Sequence, residues 1–262
     1  MQIRYKDHVI KWSLLAISSL TIIILVWIIG YIFFKGLRYI HLSELVAPIV
    51  ATLYMVSISI LIAGPIGIGA AVYLNEYAKK GRWVELVRFA TETLASVPSI
   101  LFGLFGMMFF LTYCKLGFSI LAGALTVALM ILPIIVKTTE EALKTVPIAL
   151  REGSLALGAN RFTTILKVVF PRALPGILTG IVLGIGRIVG ETAAVYLTAG
   201  TMFKLPTTPM ESGRTLSVHL YLLAKEGISF DEAYASAVVL LITILLLNLL
   251  TYFIGHKLHK VK

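Results

Sequence analysis

Residues 12–34 form a run of 23 amino acids without one charged side chain, and five further apolar runs of similar length follow. Crossing the hydrocarbon layer of a bilayer as a helix takes about 20 such residues. The runs occupy residues 12–34, 52–74, 93–114, 116–136, part of 173–200, and 233–254, and the third and fourth are separated by the single charge Lys115. With 58% hydrophobic and only 14% charged residues, and a mean hydropathy of +0.94, the chain lacks the polar surface of a soluble domain of this size. The expectation is an all-α, six-span membrane protein forming one domain, residues 1–262. Glycine and proline inside the runs are tolerated, because neighbouring helices satisfy freed backbone groups.

Lysine and arginine orient the spans. Sixteen fall on one side: Arg4, Lys6, Lys11, Lys79, Lys80, Arg82, Arg88, Lys137, Lys144, Arg151, Arg161, Lys167, Arg172, Lys257, Lys260 and Lys262. Six fall on the other: Lys35, Arg38, Lys115, Lys204, Arg214 and Lys225. Both termini are therefore expected in the cytoplasm. The net charge of +10 follows this bias, which points to anionic lipid headgroups and not to nucleic acid. The first apolar run is too long for a signal-peptide core and reads as a retained span. Cys114 stands alone and is read as packing. Trp12, Trp27 and Trp83 read as interface anchors or core packing. Two outer connections are expected, residues 35–51 with a short interfacial helix near 41–46, and residues 201–232 with a short helix over 216–224.

Within residues 173–203 only Arg187 and Glu191 are charged, four positions apart. On a continuous helix they would share one face, and ionisable residues at membrane depth call for a partner, water or a function. Two readings follow: an internal ion pair that registers helices, or a route for an anion. The fork of an arginine suits a tetrahedral oxyanion. Gly184, Gly186 and Gly190 predict close helix approach and also leave room for solute beside Arg187, while the Gly180–Gly184 spacing is by itself only a weak sign of a helix dimer face. Pro98 and Ser99 predict a break or bend in the third run, with Ser96, Ser99 and freed backbone donors as candidate anion contacts. Thr192 is expected either to cap a carbonyl or to touch solute.

The connection 137–172 is the most structured. Pro147 introduces a short helix over 148–160, Gly158 permits a left-handed turn that ends it, and Pro171 and Pro175 bracket the start of the fifth span. Glu152-Gly153-Ser154, three residues, Gly158, nine residues, then Val168-Val169-Phe170-Pro171 resembles the EAA loop of type I ABC-importer permeases, with the two alanines replaced by glycine and serine. The stretches Leu94-Ala95-Ser96-Val97-Pro98-Ser99-Ile100 and Gly186-Arg187-Ile188-Val189-Gly190-Glu191-Thr192-Ala193 resemble the PstA-type permeases of bacterial and archaeal phosphate importers. So does Arg151-Glu152-Gly153-Ser154-Leu155-Ala156-Leu157-Gly158.

That resemblance implies a type I permease fold with a cytoplasmic coupling helix in a prokaryotic plasma membrane. It implies contact with an ATPase through Glu152, Gly158, Pro171 and Arg151, and a pathway through Arg187, Glu191, Thr192, Ser96 and Ser99. The implied partners are a homologous PstC-like permease, two ATP-binding subunits and an extracytoplasmic phosphate-binding protein. ATP and Mg would be held by the ATPase subunits, since no Walker-type phosphate loop occurs here. A PstC-like role, or another oxyanion such as sulfate or molybdate, stays open at this point.

Overall fold

The computed structural model describes residues 2–79 and 81–260, with side chains described over 10–79 and 81–253. Arg4, Lys6, Lys80, Lys257, Lys260 and Lys262 of the charge count lie outside these side chains. Every regular element among the described residues is helical. Five helical segments are long and apolar enough to cross a membrane: Ile10–Tyr39, Leu42–Tyr77, Ile120–Lys144, Arg161–Gly190 and Phe230–Phe253. They belong to α1 (Gln2–Gly36), α2 (Leu42–Val72), α5 (Ile120–Lys144), α8 (Phe170–Gly190, preceded by α7, Arg161–Thr164) and α11 (Phe230–Lys260). The interfacial helix expected near 41–46 is the opening of α2.

The third apolar run is not a straight span. α3 (Arg82–Ser96) and the segment Ser99–Tyr113, which starts with α4 (Ser99–Gly106), meet at 99°. Pro98 causes the expected break: it offers no backbone N–H and disfavours helical geometry in the residue before it. Val97 is accordingly extended, with ψ 131°. α3 is then fastened to α5 by charge. Arg88 Nη2 lies 2.6 Å from Glu140 Oε1, Lys144 Nζ lies 2.9 Å from the same oxygen, and Lys137 Nζ lies 3.5 Å from Glu92.

α5 is the central post, flanked by α2 and α8. Two thirds of its apolar window is buried, against none of that of α1. Close approach to α8 depends on small residues: a Cβ at Gly180 would collide with the Thr138 side chain, and one at Gly176 would lie 2.5 Å from the Ala142 methyl. Gly184 has only ordinary contacts, its nearest neighbour being Ile60 at 3.7 Å.

At about 1.5 Å per residue α5 is roughly 37 Å long, so its two ends are far apart. Its first turn is tied to a re-entering segment: the backbone N–H groups of Ser119, Ile120 and Leu121 donate to the carbonyls of Thr198, Glu211 and Pro209 at 3.3, 2.9 and 2.8 Å. The expected short helix follows as α10 (Leu216–Lys225). The opposite end of α5 leads through Pro147 into α6 (Ile148–Ala156), the expected coupling helix.

Three expectations are corrected. The fifth helix starts earlier than residue 173, running unbroken from Arg161, and ends at Gly190. Pro171 and Pro175 therefore lie inside it. A wide π turn, Ile165–Val169, stands just before Pro171 and relieves the clash of its ring with the preceding carbonyls. Cys114 is exposed, so it is not core packing in this chain, whereas Trp12, Trp27 and Trp83 are 67, 69 and 81% exposed, which fits the interface-anchor alternative of their reading.

Candidate functional site

Two regions carry the sequence motifs, one at each end of α5. At the α6 end, Gly158 takes φ +83°, the left-handed geometry that stops the coupling helix. Glu152 is exposed, and so are Ile148, Leu155, Leu157 and Phe162, with Leu157 at 91%. A charged and apolar surface is thus presented away from the helix bundle.

Arg151 points the other way. Its Nη2 lies 2.9 Å from Glu76 Oε1 and donates to the Leu143 carbonyl at 2.9 Å, while Nη1 donates to the Val146 carbonyl at 2.5 Å. The guanidinium therefore caps the C-terminal end of α5, where a cation is favoured, and pairs with a carboxylate from the π turn Tyr73–Tyr77 that prolongs α2. Asn75 Nδ2 donates to the same Glu76 oxygen at 2.8 Å. Side-chain exposure is 18% for Arg151 and 8% for Glu76, so this pair is shielded from screening. Instead of facing an ATPase as expected, Arg151 binds α6 to the spans. Glu76 was missed because, in sequence, it reads as a boundary charge beside Lys79. Ser154 adds a second tie, its hydroxyl 2.9 Å from that of Thr164, and Arg161 lies over the Tyr77 ring at 5.3 Å.

The second region surrounds the end of α8. The expected Arg187–Glu191 pairing does not form. Helical geometry stops at Gly190, Glu191 is extended with ψ 127°, and the i to i+4 relation is lost. Glu191 is buried, and its Oε1 accepts from the Ala194 N–H at 3.1 Å, serving the first turn of α9 (Ala193–Thr198). Its backbone carbonyl accepts from Ser217 Oγ at 2.7 Å. Arg187 is exposed and makes no ion pair or hydrogen bond among the described residues. No atom lies within 4 Å of a Cβ placed on Gly186 or Gly190, so the space beside the guanidinium is open.

Thr192 lines a cavity of about 730 Å³ between α9, α10 and the first turn of α4, with Ile100, Tyr196, Ser217, Tyr221 and Lys225 among its walls. Its hydroxyl is 3.5 Å from the Gly190 carbonyl. Ser99 neighbours Ile100 in that turn, half-buried. Ser96 is separated from it by the bend and donates to the Thr93 carbonyl at 2.7 Å. Arg187, Thr192 and Ser96 thus do not converge on one pocket. Beside the cavity, His219 is 6% exposed and stacks on Phe203 at 5.1 Å. Burial, and then the neighbouring Arg214 charge, push its pKa down to about 4, so it is neutral at ordinary pH.

Comparison with known proteins places these features. Residues 63–260 match the family described as the binding-protein-dependent transport system inner membrane component. The chain is 37% identical over 223 residues to the probable ABC transporter permease protein YqgI of Bacillus subtilis, covering 79% of this chain and 76% of that one. It is 31% identical over 268 residues to the phosphate transport system permease protein PstA of Mycobacterium leprae, covering 94% and 87%. Among solved structures, a bacterial alginate ABC transporter in complex with its alginate-bound periplasmic protein aligns with a TM-score of 0.71 at 20% identity, covering 98% of each chain. The inward-facing MetNI methionine ABC transporter aligns at 0.66 with 20% identity, covering 84% of this chain and 96% of that one. The fold is that of ABC-importer permeases, and the chain belongs to the family of binding-protein-dependent transport system inner membrane components.

Proposed function

We propose that this chain is the membrane subunit of an ATP-driven inorganic phosphate importer in a prokaryotic plasma membrane. Its likeness to PstA proteins of several bacteria supports the substrate. One observation carries the mechanism: α6 offers an exposed Glu152 and apolar side chains outward while Arg151 ties its other face to α2 and α5. A push delivered to such a helix reaches the spans, because its fastening is buried and paired.

In this reading the α6 end and both termini face the cytoplasm, and α10 faces outside. Two ATP-binding subunits hold ATP and Mg, and one of them receives α6 around Glu152 and Gly158. A second, PstC-like permease completes the pore, and an extracytoplasmic binding protein delivers phosphate. Closure of the ATPases moves α6 and opens the membrane cavity outward; hydrolysis returns it. This chain provides no catalytic group to that cycle. Arg187 supplies positive potential for the passing anion, left unpaired by the bend at Glu191. Conduction requires such a site to attract without trapping, and the exposed guanidinium has room beside it at Gly186 and Gly190.

Glu152→Ala and Gly158→Val test the docking. A valine at φ +83° is strained, so the α6 turn is expected to deform. Both variants are expected to lose at least tenfold in ATP-driven phosphate uptake, a barrier change of about 1.4 kcal/mol or more, with weakened capture of the ATPase in detergent. Full coupled uptake and full ATPase capture in both would eliminate α6 as the docking element.

A further inference from the structure

We propose that the cavity between α9 and α10 is an anion-receiving subsite, with Lys225 at its rim as the charge that first meets phosphate on the outer side. The proposal rests on the import reading above and adds to it a position separate from Arg187.

The face of α10 makes the case. Ser217, Tyr221 and Lys225 recur every four residues, so one side of the helix carries all three, and all three line the cavity. Leu216, Val218 and Leu222 of the same helix are buried in the bundle. Across the cavity, Tyr196 of α9 meets Tyr221 edge to face, ring centroids 6.2 Å apart. Lys225 Nζ lies 5.3 Å from the centre of the Tyr221 ring, which holds the ammonium near the opening.

The depth order follows from the chain. α10 starts where the Leu216 N–H donates to Thr52 Oγ1 at 3.0 Å, ten residues into α2, and ends at Lys225, five residues before α11 begins. Ser217 and Thr192 therefore form the floor and Lys225 the rim. Ser217 Oγ is already committed to the Glu191 carbonyl, the Thr192 hydroxyl is directed to the Gly190 carbonyl at 3.5 Å, and the Lys225 ammonium shares a hydrogen bond with the Tyr221 side chain, which leaves the Tyr196 hydroxyl and the remaining donors of the ammonium to face an anion. No carboxylate lines the cavity. The Glu191 carboxylate, behind the Thr192 wall, is turned to the Ala194 N–H; the neighbouring Glu226 charge acts on Lys225 but forms no ion pair with it among the described residues. About 730 Å³ accommodates phosphate with part of its hydration shell, which suits a waiting position better than a tight site. A lysine, as a compact and strongly hydrated charge, fits that role where an arginine fork would grip.

The test uses the complete transporter in vesicles, with radiolabelled phosphate supplied through its binding protein. Lys225→Gln is expected to lower uptake at sub-saturating phosphate about tenfold, the scale of one near-surface charge contact. Lys225→Arg should retain at least half the wild-type rate, and Tyr196→Phe, deeper in the cavity, should lower uptake severalfold. Capture of the binding protein by the Lys225→Gln complex should match wild type. Wild-type uptake in Lys225→Gln at every concentration would overturn the subsite. So would a loss of uptake matched by an equal loss of binding-protein capture, which would make Lys225 a protein contact. If wild-type vesicles carry sulfate or molybdate and not phosphate, the import reading fails, and with it the ligand assigned to this cavity.

Discussion

Arg151→Met is expected to release α6 from the membrane helices and to abolish coupling while leaving the bundle folded. The substitution removes an ion pair with Glu76 and two bonds to the Leu143 and Val146 carbonyls, and leaves a carboxylate that is 8% exposed without its partner. Breaking a buried pair from one side typically costs about 3–5 kcal/mol. The two side chains join α6 to α2 and α5, so the loss falls on the docking of α6. The bundle core, built on α2, α5 and α8, does not involve them. A docking equilibrium weakened by about 3 kcal/mol is more than a hundredfold looser. Hydrogen exchange should show it as lost protection of the amides in 148–156, with ATP hydrolysis no longer producing uptake. Glu76→Leu combined with Arg151→Met removes both charges, and should recover part of the protection, because the stranded carboxylate is gone. Unchanged exchange and normal uptake in Arg151→Met would show that the pair does not transmit motion.

Arg187→Gln is expected to cut phosphate flux by at least tenfold without affecting assembly. The guanidinium is exposed, has no ion pair among the described residues, and stands beside the open space at Gly186 and Gly190. Its removal should therefore cost little folding energy, since no partner is stranded. What is lost is attraction for the anion, and about 1.4 kcal/mol of it is tenfold in rate. Arg187→Lys should fall between, keeping the charge but not the fork. Uptake equal to wild type in Arg187→Gln would remove this residue from the pathway. Exchanging Arg187 and Glu191 is expected to be harmful for a separate reason: an arginine at position 191 cannot accept from the Ala194 N–H, and α9 loses that bond.

The places where the sequence was legible are those ruled by one strong local cause. Proline and the residue before it explain the 99° bend at Pro98, and the left-handed preference of glycine explains the end of the coupling helix at Gly158. Uncharged runs located the long helices. The Arg187–Glu191 pairing failed because it assumed an unbroken helical period, whereas Gly190 and the extended Glu191 end α8 between the two charges. The fifth helix was placed late because Pro171 and Pro175 look like boundaries; a π turn lets the helix pass the first of them. Arg151 was misdirected because its partner is 75 residues away in sequence, and no local period carries that relation. The cavity at Lys225 was equally hidden, as the period-four face of α10 gains meaning only opposite α9.

The most direct measurement is ATP-dependent uptake in vesicles containing this chain with its candidate permease, ATPase and binding-protein partners, offered phosphate, sulfate and molybdate in parallel. The expected result is phosphate accumulation that requires ATP, exceeds that of the other two anions, and disappears with Arg151→Met. Uptake that continues without ATP, or accumulation of another oxyanion in place of phosphate, would contradict it.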